Sequence, residues 1–151
     1  MMSFRLTLLC VGFLAVAFKN VEAISQEDKI KMYAALLPTV QECSQKYGIT
    51  QEDIKKAKES GNIDNVDQCM LACIFKKTGV INEGGQFDVE KSTEMVKKYV
   101  SDANEQAKAI DILGKCASVN DQPVGDSDGC DRSKQLFECL KPFKKEFESR
   151  R

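Results

Sequence analysis

Cys69-Met70-Leu71-Ala72-Cys73 (CMLAC, residues 69–73) places two cysteines one helical turn apart. On a helix, residues i and i+4 stand one above the other on the same face, so both sulfurs point into whatever that helix packs against. A redox pair, half of a metal site and two anchors of a disulfide framework would each use such a pair. Redox sites are normally C-x-x-C beside a βαβ pattern, and neither the spacing nor the surrounding sequence fits. A zinc site normally recruits histidine or a second close cysteine pair, but the chain has no histidine and its other cysteines stand far apart.

The compartment decides between what remains, and the first residues report it. MMSFRLTLLCVGFLAVAFKNVEA carries a positive charge at Arg5, an apolar run from Leu6 to Phe18 and small side chains at Val21 and Ala23. This is the pattern of a secretory signal peptide over residues 1–23. About 13 apolar residues fall short of the ~20 that cross a bilayer, so a membrane anchor is disfavoured. Seven cysteines then become six, because Cys10 leaves with the leader. An even set in an oxidising compartment implies a complete disulfide framework of Cys43, Cys69, Cys73, Cys116, Cys130 and Cys139. Their spacing, C-x25-C-x3-C-x42-C-x13-C-x8-C, leaves 15 connectivities open, as for any six cysteines.

Residues 24–151 suit a single domain with one modest core. Loss of Arg5, Lys19 and Glu22 with the leader moves the formal charge from −1 to −2. With both signs interspersed, there is no basic patch for nucleic acid or an anionic membrane. No EF-hand loop or N-glycosylation sequon occurs, and neither a metal nor a cofactor is expected. Gly125-Asp126-Ser127-Asp128-Gly129 matches G-x-S-x-G, yet no strand precedes it, Pro123 stands two residues upstream and no histidine is available as a base, so no enzyme is expected.

Local signals are nearly all helical. Ser25 is placed to cap a helix whose Ile30, Tyr33, Leu36 and Leu37 form an apolar face, with Pro38 bending or interrupting it. Thr50-x-x-Asp53 matches a capping box with the shorter acid; Lys55, Lys56 and Lys58 suit that helix's C-terminal half, and Gly61 ends it. A third helix spans about Val66 to Thr78 and stops at Gly79, followed by a turn-rich VINEGGQF connection. Asp88 caps a fourth, with Val89, Ser92, Val96 and Tyr99 on one face beside Met95. A fifth, about Ala103 to Ala117, aligns Ala109, Ile112, Leu113 and Cys116. NDQPVGDSDG is a loop, and a last helix from Asp131 brings Gln135, Leu136, Cys139 and Leu140 near one seam before Pro142.

The cysteine spacing, the stretch QCMLACIFKKTGVINEGGQFDVEKS and the helix opening GITQEDIKKAKESG together resemble the six-cysteine insect odorant-binding proteins of the pheromone-binding and general-odorant-binding kind. The x3 and x8 spacings are the specific part. The resemblance implies an all-α fold of about six short helices around a hydrophobic cavity. It also implies interlocked disulfides Cys43–Cys73, Cys69–Cys130 and Cys116–Cys139, so that the cysteines of CMLAC bond elsewhere and not to each other. A hollow interior deprives its walls of packing partners, which gives a physical reason for heavy stapling.

The function implied is that of a secreted carrier taking a small hydrophobic volatile ligand through aqueous fluid towards an olfactory receptor, as a monomer or weak homodimer without membrane insertion. Apolar helical faces and the family's general arrangement nominate Tyr33, Leu37, Met70, Ile74, Phe87, Val89, Met95, Val96, Tyr99, Ile110, Leu113, Leu136, Phe137 and Phe143 as walls. For each of them plain core packing is an equal alternative. Ser92, Tyr99 and Gln135 are the polar candidates that would orient a ligand. The family members that release ligand through histidine have no counterpart here, so acid release would work through carboxylates. The charged tail LKPFKKEFESRR is expected as a lid or surface segment. The alternative is a stapled interaction or signalling domain with a filled core and an exposed apolar patch.

Overall fold

The computed structural model describes residues 24–60, 66–125 and 127–144, without the side chain of Lys58. Six α-helices occur among these residues: α1 Gln26–Lys46, α2 Gln51–Ser60, α3 Gln68–Thr78, α4 Val89–Tyr99, α5 Ala103–Cys116 and α6 Cys130–Leu140. Two 3-10 turns, Ala117–Asp121 and Lys141–Phe143, extend α5 and α6. No strand occurs among the described residues; the VINEGGQF connection holds one isolated antiparallel bridge, Ile81 with Phe87. The leader, Gly61 and all of the tail beyond Lys144 lie outside the described residues.

Caps set most helix ends. The Thr50 N–H and hydroxyl both donate to Asp53 Oδ2, and the Asp53 N–H donates back to Thr50 Oγ1, the reciprocal pair of a capping box. Asp88 accepts from the Lys91 N–H, and Gly79 ends α3 in the left-handed region at φ 81°. The third helix starts at Gln68 and not at Val66, because the Asp67 carboxylate takes the Cys69 and Met70 N–H groups. Asp102 does the same for Glu105 at the start of α5.

Three expectations about continuity change. The first helix, with 21 residues, is not short, and it runs through Pro38 without interruption. Pro38 and Ala34 both face solvent, so the carbonyl that loses its N–H partner is open to water. Asn120 and Asp121, expected in the loop, belong to the 3-10 turn after α5. Cys130, expected just before the last helix, is its first residue.

Of the apolar face expected on α1, only Leu36 turns inward. Ile30 and Tyr33 are 67% and 59% exposed, and Leu37 is also exposed. The inward stripe instead runs through buried Asp28, partly buried Met32 and Leu36, and buried Cys43. Two links set this rotation: the Cys43–Cys73 bridge to α3, and Asp28, whose carboxylate accepts from the Ser101 N–H at 2.8 Å and the Ser101 hydroxyl at 2.6 Å.

The Ser101 hydroxyl and N–H, with lesser help from Ser25 and Lys31, hold the Asp28 carboxyl below its usual range against the opposing effect of burial. A depressed folded pKa contributes stability that is fully present above the ordinary aspartate value of about 3.9 and is lost as pH falls through the lower folded value. Asp28→Asn therefore unfolds at lower temperature than the wild type near neutral pH, with the gap closing in acid. Melting curves between about pH 2 and pH 7 check this; a gap independent of pH would remove the carboxylate from the account.

All three disulfides have the implied pairing, Cys43–Cys73, Cys69–Cys130 and Cys116–Cys139. The α3–α6 pair is the most extensive helix contact. It closes tightly at Gly129, φ 82°, where an added Cβ would come within 3.1 Å of Lys76 Cε. That approach lets Cys130, the next residue, reach Cys69.

Candidate functional site

One end of the interior is solid. Phe87, Cys116, Val119 and Leu136 form a buried cluster, with Phe75, Val80, Val89, Leu113, Cys139, Leu140 and Phe143 partly buried around it. Two polar side chains brace this end. The Asn120 amide accepts from the Phe87 N–H at 2.8 Å and donates to the Phe87 carbonyl at 2.9 Å, standing in for a neighbouring strand. Arg132, buried, donates to the carbonyls of Val119, Gln122 and Gly85 and to Gln135 Oε1. Gln135 Nε2 in turn donates to the Pro123 carbonyl. With its Oε1 taken by Arg132 and its Nε2 by the Pro123 carbonyl, Gln135 acts as a brace for the loop before α6.

Outside this cluster, buried side chains on α3–α6 alternate with apolar ones that are only partly buried. On α3, Met70 is buried while Ile74, one turn on, is partly buried. On α4, Ser92 is buried and its hydroxyl donates to the Asp88 carbonyl at 2.8 Å, while Met95, Val96 and Tyr99 are partly buried. On α5 and α6, Ile110 and Phe137 are partly buried as well. Of the wall candidates, then, the fold gathers Phe87, Val89, Leu113, Leu136 and Phe143 at the solid cluster. Met70, Ile74, Met95, Val96, Tyr99, Ile110 and Phe137 stand on α3–α6, and Tyr33 and Leu37 are not brought inside.

Sequence reading passed over several interior residues. Phe75, Val80 and Val119 join the cluster, as does Leu140 from the expected seam of α6, and an aromatic at Phe75 beside Ile74 was the available signal. Glu105 is the least expected. It is 7% exposed and shares the buried stripe of α5 with Ala109, Ile112 and Cys116. Its Oε1 takes Lys108 Nζ at 2.7 Å, whereas Oε2 is buried with no hydrogen-bond partner among the described residues. The G-x-S-x-G match falls in the loop before α6, where Ser127 is exposed and no strand precedes it among the described residues; Asp126 lies outside them.

Six helices, no strand among the described residues and three interlocked bridges define a disulfide-stapled all-helical domain. Residues 25–142 match the model of the PBP/GOBP family, and the chain belongs to that family. Odorant-binding protein 10 of Aedes aegypti is 26% identical over 147 residues, covering 95% of this chain and 97% of that protein. General odorant-binding protein 19d of Drosophila melanogaster is 27% identical over 135 residues, covering 88% and 81%. The B1 protein of Tenebrio molitor is 30% identical over 104 residues, covering 68% and 75%. No solved structure matches the chain. No helix among the described residues is long and apolar enough to cross a membrane.

Proposed function

We propose that the chain is a secreted carrier that takes up a small hydrophobic molecule, of the odorant or pheromone kind, between α3, α4, α5 and α6 and moves it through aqueous fluid towards a receptor. Residues 1–23 are the cleaved leader and residues 24–151 the ligand-binding domain. One observation carries the reading: the apolar side chains of Ile74, Met95, Val96, Tyr99, Ile110 and Phe137 on these helices are only partly buried, whereas Phe87, Cys116, Val119 and Leu136 form a fully buried cluster. An apolar guest covers what the chain leaves open. The relatives named as odorant-binding proteins support the same reading.

Covering ~300 Å² of apolar surface supplies ~7 to 8 kcal/mol before ordering costs, so affinity is micromolar or weaker unless hydrogen bonds add to it. The test is titration of the oxidised, leader-free protein with a dye that fluoresces only away from water, followed by displacement with volatile alcohols, esters, aldehydes and terpenoids. Saturable one-to-one binding that volatiles reverse is the expected result. No saturable binding by a protein whose three disulfides are confirmed by mass spectrometry would overturn the carrier. The second reading, a stapled interaction domain, rests on Ile30, Tyr33 and Leu37, which leave an apolar strip along the outside of α1.

A further inference from the structure

The carboxylate of Glu105 is out of place for a helix start. Acidic residues suit the first turn of a helix because they face its dipole, and at that position they normally sit in water or reach back to cap the chain. Glu105 stands three residues after the N-cap Asp102, and Asp102 Oδ1 accepts from its N–H, yet its side chain lies on the inward stripe of α5. Lys108, itself mostly exposed, satisfies Oε1 from the solvent side, and Oε2 remains buried without a donor. A buried carboxylate oxygen without a donor is costly, so the site favours any guest that supplies one.

The place is right for a guest. The end of α4 and the start of α5 are joined only by Val100–Asp102 and the two helices pack together, so the chain brings the first turn of α5, with Glu105, next after the last turn of α4, with Val96 and Tyr99. Both are partly buried on the stripe proposed above as a wall. We propose that Glu105 is the polar anchor of the ligand site and that it selects apolar molecules ending in a hydroxyl, whose O–H donates to Oε2. This rests on the carrier reading. An aldehyde or ester of the same length offers only acceptors and would set oxygen lone pairs against the carboxylate. The discrimination therefore comes from repulsion of the wrong head group as well as from the bond to the right one.

The experiment compares dodecanol with dodecanal as competitors of the dye, in wild type and Glu105→Gln. A hydrogen bond to a charged acceptor makes the wild type prefer the alcohol about tenfold or more. In Glu105→Gln, which keeps shape and can donate as well as accept, the preference shrinks to about twofold or reverses, each competitor being read against the dye's own affinity in that variant. An undiminished alcohol preference in Glu105→Gln, or none in the wild type, would overturn the assignment while leaving the carrier intact. Failure of dye, alcohol and aldehyde alike to bind would overturn both. Should Glu105→Gln not fold, carbon NMR of the wild-type glutamate carboxyls decides instead: dodecanol, and not dodecanal, shifts the Glu105 resonance, and equal responses would overturn the assignment.

Discussion

Replacing Cys69 and Cys130 together with serine lowers the unfolding free energy by about 4 kcal/mol. The bridge closes a sequence separation of 61 residues, the longest of the three, against 30 for Cys43–Cys73 and 23 for Cys116–Cys139. In the chain-entropy account the unfolded chain loses more freedom as the closed loop lengthens, so this bridge restrains it most. The other two bridges hardly shorten that loop, because neither spans it. Both sulfurs belong to partly buried residues at helix starts, so the two hydroxyls cost little by themselves. Against a total stability of ~5 to 15 kcal/mol for a domain of this kind, the loss lowers the melting temperature by about 15 °C. Urea unfolding of the double variant, with the remaining bridges verified by mass spectrometry, measures it. A loss below about 1 kcal/mol would mean that contacts between α3 and α6 already restrain the unfolded chain.

That bridge also marks how far the sequence can be read. The spacing of the cysteines made a stapled helical domain legible, but their pairing came through the family resemblance, since counting alone leaves it open. Caps with short-range chemistry were visible at Thr50, Asp53, Gly79 and Asp88, where every partner lies within four residues. Asp67 and Asp102 obey the same rule and were passed over because the periodic residues beside them drew the helix boundaries. The rotation of α1 was not legible. Periodicity identifies an apolar stripe, but whether a neighbour covers it depends on long-range links, here Asp28 to Ser101 and Cys43 to Cys73. Asn120, Arg132 and Glu105 were hidden for the same reason: a polar side chain in a charged stretch reads as solvated, and only the tertiary partners reveal it as buried.

Truncating Phe87 to alanine costs about 4 kcal/mol, within the ~3 to 5 kcal/mol range for a core aromatic. The size of the loss depends on whether the surroundings can close over the gap. Here they cannot: the Phe87 backbone is held at both its N–H and its carbonyl by Asn120, and its neighbours Cys116 and Leu136 are themselves fixed, the first by a disulfide and the second by full burial. The void therefore persists, and its walls lose contacts outright. Val96→Ala, by contrast, removes a partly buried side chain beside the proposed guest and costs about 1 kcal/mol while weakening dye binding. Measured together, urea midpoints and dye affinities separate the solid end of the molecule from the lined one. Equal losses of stability for the two variants, with dye binding untouched by either, would mean that one continuous core fills the interior and that α3–α6 enclose no guest.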